Sequence, residues 1–504
     1  MRRLLIVALV SSVTMLGIPA GATAQPVSEA PLQADARSEV SPRAEAQPTL
    51  RWRTCAYEEL ERAQCAHLTV PRDWARADSG TYRIAVARIR AAVAPTRGVL
   101  IFNPGGPGAG GLDALNFAYG QLPKVVRDSY DLVTFDPRAT GSSQPVLNNC
   151  RVADPSLPAT GPVDWEAVTE NYVGKMSKAL QECLADNETT AASVGSWQVI
   201  RDIDQLRRAL GAEKITFWGM SYGTTLGRAY AQQFPHRLRG LILDGAISPT
   251  PAIGDYAREH IWDDATAIQT MLGAFGAKSQ RAYRTVMRFL EKNTIPQEGG
   301  EELTRWSVTR YLANGAAYQN QWNGLRKDIN GLYDAIRNSR NVTREQYERI
   351  TARPETGRSE DGSSPVFYFV NCSDMHDRPS VQVLAGAAEQ AAKVGVTGMG
   401  LISLNEGAQC AGLPALGRSV PALTAPLRLA TPSIVINSVG DNRTPWLGAR
   451  ATANLFTGSS MVTYAGTQHV TYGGPSRCVN AAVTPYLLYG TLPARSVACP
   501  LEYP

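Results

Sequence analysis

The stretch KITFWGMSYGTTLG, residues 214–227, joins a short apolar run to a turn and then to small, helix-compatible residues. The run at 214–218 is rich in β-branched and aromatic side chains, which favours a buried strand. Ser221 then lies between Gly219 and Gly223 in a G-x-S-x-G pattern. A strand that turns directly into a helix leaves no room for a Cβ beside the bend. The pattern predicts a nucleophile elbow that exposes the Ser221 hydroxyl; the alternative is a glycine-rich turn whose serine caps the helix.

Strands and helices alternate around this stretch. GVLIFNPGGPG (98–108), YDLVTFDPRATGSS (130–143) and LRGLILDGAISP (238–249) each begin as an apolar, strand-like run. SWQVIRDIDQLRRALG (196–211) has the period of an amphipathic helix. Strands that are apolar throughout and alternate with helices indicate an α/β fold with a mostly parallel central sheet, covered on both faces.

The sheet pattern is interrupted once. Strand-like runs fade over residues 250–425, where helical runs replace them, and return in PSIVINSVGD (432–441) and SMVTYAGTQH (460–469). We therefore expect a core in two parts, 51–249 and 426–504, with an inserted helical cap at 250–425.

The amino terminus has the features of an export signal. Two arginines precede a short apolar stretch that ends in Ala22-Thr23-Ala24, an A-x-A cleavage pattern. We predict a signal peptide at 1–24, followed by a flexible leader or propeptide at 25–50 that is rich in Pro, Ala, Ser and charge. The mature protein is expected to be secreted or periplasmic, without a membrane anchor.

Charge and cysteine content narrow the function classes. The formal net charge is +5 without any basic run, so we expect no nucleic-acid partner. Eight cysteines in an exported chain indicate disulfides, and their positions suggest four local pairs, although many pairings are possible. The pairs are Cys55–Cys65, Cys150–Cys183, Cys372–Cys410 and Cys478–Cys499. None has metal-ligand spacing, so no metal site is expected.

A serine nucleophile needs a histidine base and a carboxylate that orients it. Of the five histidines, only His469 follows a returning sheet strand. Asp441 is the single carboxylate between Glu406 and Glu502, and it also follows a strand. We predict Ser221, Asp441 and His469 as a triad, with Asp244 as the alternative acid. Taken singly, His469 would also suit an ordinary loop and Asp441 an Asx turn.

Acyl transfer also needs N–H donors for the developing oxyanion. The first is the amide after the nucleophile, that of Tyr222. The second is expected from the loop NPGGPGAGG (103–111), where Pro107 has no N–H. Gly106 is therefore the preferred donor and Gly105 the alternative. A phosphate-binding loop would need a lysine that is missing here.

Five motifs together resemble the secreted tripeptidyl and prolyl aminopeptidases, which are serine peptidases of the α/β-hydrolase fold. The motifs are NPGGPG, FDPRATGSS, GMSYGT, GDNRTP and QHVTYGGPSRC with the following YLLYGTLP and final cysteine, and they extend from about Cys55 to Cys499. This resemblance implies the same triad, no cofactor, and release of residues or short peptides from a peptide substrate with a free N-terminus. Ala139, Gln468 and Ala109 depart from the family pattern, which commonly has glycine at the first two positions.

Two other functions remain open from the sequence. One is an exported carboxylesterase with the same triad, and the other is a non-catalytic binding protein on a hydrolase fold. An aminopeptidase needs a carboxylate for the substrate ammonium. Asp374 follows VFYFVNCS, an apolar, strand-like run in the cap that contains Cys372, and is the predicted residue. The alternative is that Asp374 only turns or caps the chain there.

Overall fold

The computed structural model describes residues 48–56, 60–147, 150, 158–351, 365–394 and 399–502. The expected signal peptide at 1–24, and all but the last three residues of the expected leader at 25–50, lie outside this range.

The described residues form fourteen strands. In chain order they are β1 (Arg53–Thr54), β2 (Gln64–Asp73), β3 (Arg76–Ile89), β4 (Val99–Asn103), β5 (Asp131–Phe135), β6 (Ile215–Met220), β7 (Leu238–Asp244), β8 (Ile295–Pro296), β9 (Glu302–Leu303), β10 (Leu427–Arg428), β11 (Ser433–Ser438), β12 (Phe456–Thr457), β13 (Ser460–Tyr464) and β14 (Ser496–Cys499).

Fourteen α-helices connect and flank these strands in the described range. They are α1 (Gly111–Gln121), α2 (Lys124–Arg127), α3 (Trp165–Ala191), α4 (Ser196–Ala209), α5 (Gly223–Gln233), α6 (Ile253–Leu290), α7 (Arg305–Ala316), α8 (Trp322–Arg337), α9 (Arg344–Thr351), α10 (Pro365–Asp374), α11 (Val381–Val394), α12 (Met399–Gly407), α13 (Trp446–Leu455) and α14 (Arg477–Tyr489).

Ten strands build one sheet in the order β1-β2-β3-β5-β4-β6-β7-β11-β13-β14. The pairings from β1 to β5 are antiparallel, and all pairings from β5 through β14 are parallel. The strands β6 and β11 are buried along their whole length, as expected for parallel strands covered on both faces. The mostly parallel α/β sheet predicted from the sequence is confirmed.

The helices α6 to α12 all lie between β7 and β11 in the chain. They share two apolar clusters, one of which also contains Tyr172, Met176 and Leu180 of α3. The long helix α3 therefore packs with the inserted helices, although it precedes the elbow strand in sequence. We use the word cap for α3 and α6–α12.

Disulfides join four pairs of residues, and they are the pairs that proximity in the sequence suggested. They are Cys55–Cys65, Cys150–Cys183, Cys372–Cys410 and Cys478–Cys499. All four are local, with sequence separations of 10 to 38 residues. Within the part of the chain that the structure describes, no helix is long and apolar enough to span a membrane.

Candidate active site

Ser221 lies at a sharp bend between β6 and α5. Its φ is +52°, a left-handed conformation that costs a non-glycine residue about 1–2 kcal/mol. The glycines on either side are required by packing: a Cβ on Gly219 would lie 2.3 Å from the Gly223 carbonyl oxygen, and one on Gly223 would lie 2.5 Å from that of Asn103. This is the geometry of a nucleophile elbow.

His469 is held by a carboxylate on the next loop. Its Nδ1 lies 2.9 Å from Oδ2 and 3.1 Å from Oδ1 of Asp441, and both side chains are buried. Asp441 also accepts hydrogen bonds from the backbone N–H groups of Arg443 and Thr444 and from the Thr444 hydroxyl. These donors orient the carboxylate so that it meets the imidazole.

Ser221 and the His469 ring both lie beside the carboxyl end of β7. The Ser221 N–H donates to the Asp244 carbonyl at 2.9 Å. A Cβ on the next residue, Gly245, would lie 3.1 Å from Cε1 of His469. Gly245 has a φ of +68° and lies directly against the imidazole. The loops that carry the three predicted triad residues thus lie at one edge of the sheet.

Asp244, the alternative acid, binds a different group. Its two carboxylate oxygens accept the backbone N–H groups of Thr471 at 2.8 Å and Tyr472 at 2.9 Å. Burial raises the pKa of its carboxyl to about 6. Asp244 therefore holds the loop after His469, whereas Asp441 contacts the ring.

The glycine loop lies directly against the elbow. A Cβ on Gly105 would be 2.8 Å from the Tyr222 nitrogen and 2.9 Å from Cβ of Ser221. The Gly105 N–H donates to the Asn103 side chain at 3.0 Å. Since that N–H is already engaged, Gly106 stays the preferred second oxyanion donor beside Tyr222.

Asp374 lies close to the elbow, but on a helix. The strand-like run before it was an incorrect expectation, because residues 365–374 form α10. Its carboxylate accepts hydrogen bonds from the Tyr222 hydroxyl and, at 3.1 Å, from the Ser196 N–H. Although Asp374 keeps some exposed surface, burial raises the pKa of its carboxyl.

Sequence reasoning missed a second carboxylate, Glu406 on α12. Burial raises the pKa of Glu406, and the neighbouring Arg443 guanidinium acts in the opposite direction. Arg443 is two residues from Asp441, so the cap brings this carboxylate close to the acid loop. The ring of Tyr318, also in the inserted segment, packs edge-on against the His469 ring, with the two ring centroids 6.4 Å apart. No periodicity or motif marks either residue, since both reach the site from distant parts of the chain.

No group of three or more His, Cys, Asp and Glu side chains with a metal-binding arrangement occurs among the described residues.

Comparison with known proteins agrees with this geometry. Residues 98–473 match the model of the α/β-hydrolase fold family. The chain is 30% identical to the serine protease Hip1 of Mycobacterium tuberculosis over 468 residues, which cover 87% of each protein. It is 28% identical to carboxylesterase B of the same species, covering 90% of each. It is also 26% identical to the tripeptidyl aminopeptidase of Streptomyces lividans, covering 89% of this chain and 86% of the relative.

Proposed function

Since the chain belongs to the α/β-hydrolase family and is a serine hydrolase of that fold, we propose that it is an exported aminopeptidase acting through Ser221, His469 and Asp441. The observation that supports this most is the contact between His469 and Asp441 beside a strained serine elbow. Export is supported by four disulfides, which persist in oxidising compartments.

The reaction has two halves. Ser221 Oγ attacks the substrate carbonyl carbon while its proton passes to Nε2 of His469. The backbone N–H groups of Tyr222 and Gly106 stabilise the oxyanion. The C–N bond then breaks as His469 returns the proton to the leaving amine, and an acyl ester remains on Ser221. Water attacks this ester while His469 again accepts a proton. The bond between the acyl carbon and Ser221 Oγ then breaks, His469 returns the proton to Oγ, and the acyl group leaves as a carboxylic acid.

Selection of a free N-terminus requires a carboxylate that meets the substrate ammonium. Asp374 and Glu406 are proposed as candidates, because both are carboxylates of the cap close to the triad loops. Asp374 already accepts two hydrogen bonds, from Tyr222 and Ser196. The charged neighbour of Glu406 is Arg443. We propose both carboxylates as ammonium ligands. They differ in that Asp374 already accepts hydrogen bonds from two protein groups.

The test compares Asp374→Asn and Glu406→Gln on a peptide amide with a free N-terminus, on its N-acetylated form, and on a short-chain ester. Loss of the ammonium ligand should raise KM for the free peptide by about tenfold, which corresponds to about 1.4 kcal/mol, and leave ester hydrolysis unchanged. Glu345→Gln, on an exposed face of α9, is the matched control.

A second function is an exported carboxylesterase, and its support is the relative named carboxylesterase B. Hydrolysis of the ester with no cleavage of either peptide would favour this function. Equal cleavage of free and acetylated peptides would also refute the aminopeptidase proposal, because the N-terminal charge would then have no role.

A further inference from the structure

The carboxyl end of α7 is bonded to the loop that carries His469. The Ala317 carbonyl accepts the backbone N–H of His469 at 2.8 Å, and the Ala316 carbonyl accepts the Thr467 hydroxyl at 2.6 Å. The last carbonyls of a helix have no partner within the helix, so they are available to a neighbouring segment. The cap is thereby attached to the backbone of the histidine itself.

Gln468 adds a side-chain connection at the same place. Its Oε1 accepts the backbone N–H of Gln319 in the cap at 3.1 Å. Its Nε2 donates to the His469 carbonyl at 2.9 Å, with a longer contact of 3.4 Å to the Val470 carbonyl. The side-chain amide of Gln468 thus links the cap, at Gln319, to the backbone carbonyls of His469 and Val470. A glycine at this position would provide neither bond.

The backbone that Gln468 holds is strained. Val470 has a φ of +58°, which is a genuine outlier for a β-branched side chain. Strain of this kind costs about 1–3 kcal/mol and persists only where surrounding contacts maintain it. Asp244 holds the loop from the following side through Thr471 and Tyr472. Gln468 holds it from the preceding side.

We propose that Gln468 is a positioning residue that couples docking of the cap to the orientation of His469. The proposal rests on the proposed function, because it takes His469 as the base. Both polar ends of the Gln468 amide are bonded to protein backbone, so its effect on catalysis passes through His469. With the amide removed, the loop around Val470 loses one of the contacts that hold its strained backbone, and His469 spends less time in contact with Asp441.

Gln468→Met tests this, since methionine keeps the side-chain length and removes both hydrogen bonds. The control is Gln280→Met, because Gln280 is also half-buried and donates its amide to a backbone carbonyl, that of Leu272. Both variants are measured in the full chain for kcat and KM on a short-chain ester and for melting temperature. The downfield one-dimensional proton NMR signal of the His469 Nδ1 proton reports on its bond to Asp441.

Gln468→Met should lower kcat by about tenfold while KM stays within about threefold of the parent value. The NMR signal should weaken, and Gln280→Met should change neither. If Gln468→Met fails to fold, Gln468→Glu keeps the shape and the acceptor for Gln319 while losing the donor to His469, and the same loss of kcat is expected.

An unchanged kcat and NMR signal in a folded Gln468→Met protein would overturn the proposal. So would equal losses in Gln280→Met, because the effect would then be general destabilisation. A parent protein that hydrolyses no ester or peptide would refute the proposed function instead, and the NMR comparison would still decide whether Gln468 orients His469.

Discussion

Two buried carboxylates, Asp441 and Asp244, lie within reach of the His469 loop, and their partners separate their roles. Asp441 meets the imidazole Nδ1, whereas Asp244 accepts two backbone N–H groups beyond it. An acid that binds Nδ1–H sets the tautomer in which Nε2 is free to accept the serine proton. This geometry favours Asp441 as the orienting acid.

Asp441→Asn should therefore cost far more activity than Asp244→Asn. An asparagine at 441 favours the wrong tautomer, and such changes reduce kcat by about 10⁴. Asp244→Asn leaves the acid in place but loses one acceptor for the loop, so a smaller fall in kcat with a lower melting temperature is expected. Initial rates on one ester, with the melting temperature of each variant, provide the measurement.

Ser221→Ala is the reference for this comparison, and it should lose activity by about 10⁶ while remaining folded. A larger loss from Asp244→Asn than from Asp441→Asn would mean that the acid comes from β7.

At the scale of elements, α10 shows why an apolar run is ambiguous. VFYFV is rich in β-branched and aromatic residues, which favours a strand by intrinsic preference. Here it forms a helix that packs into the apolar cluster shared by α3, α11 and α12. Tertiary burial outweighs the small difference in intrinsic preference. The helix ends at Asp374, which the fold places beside Tyr222 and Ser196.

The disulfide Cys372–Cys410 ties this helix to the segment directly after α12. It thereby joins the two elements that carry Asp374 and Glu406. Replacing both cysteines by alanine should raise KM for a peptide with a free N-terminus and have little effect on ester hydrolysis, because the carboxylates lose their fixed spacing. For a separation of 38 residues, the chain-entropy relation gives a stability loss of about 4 kcal/mol.

The matched control replaces Cys55 and Cys65 by alanine. Their disulfide spans a sequence separation of 10 residues at the β1–β2 end of the sheet, and the same relation gives a stability loss of about 3 kcal/mol. KM for the peptide and the free energy of unfolding in urea are measured for both double variants. The comparison distinguishes an effect of the spacing between Asp374 and Glu406 from an effect of lower stability. Equal changes in peptide KM would show that the cap bridge acts only through stability.

At the scale of the whole molecule, the cap and the sheet share the catalytic loops. Asn442, next to the acid, donates to Asp264 of α6 at 2.6 Å and to the Ala313 carbonyl of α7 at 2.8 Å. The His469 loop is bonded to the same end of α7. Because both loops are bonded to the cap, order in the cap and order in the triad depend on each other.

Global stability should also depend on the buried Asp136 at the end of β5. It accepts the N–H groups of Leu112 and Ser142, and burial raises its pKa from 3.8 to about 6. A carboxyl whose folded pKa is raised contributes most below its unfolded pKa and loses that contribution as the pH rises through the folded pKa. The loss between pH 4 and pH 7 is about 2 kcal/mol.

The free energy of unfolding of the parent, relative to that of Asp136→Asn, should therefore fall by about 2 kcal/mol between pH 4 and pH 7. Urea titrations at pH 4, 5, 6 and 7 measure it. Asp78→Asn, at an exposed position of β3, is the control. A constant difference between parent and Asp136→Asn would contradict the assigned effect of burial.

The sequence by itself determined the sheet and the elbow pattern, and it predicted the order of the proposed triad. Period, glycine spacing and residue order are local properties, and each strand of the parallel sheet ends where its own residues change from apolar to polar. Ser221 directly follows β6, whereas Asp441 and His469 lie in the loops after β11 and β13, and this placement predicted them as a triad.

Only the tertiary structure decided how the cap meets the triad. The approach of Glu406 and Tyr318 to the acid and His469 loops, and the contact of Gln468 with Gln319, depend on packing between segments far apart in the chain. The helical state of α10 likewise depends on burial against α3 and its neighbours. Contacts of this kind leave no local pattern, because the free energy that selects them comes from surfaces that meet only once the chain has folded.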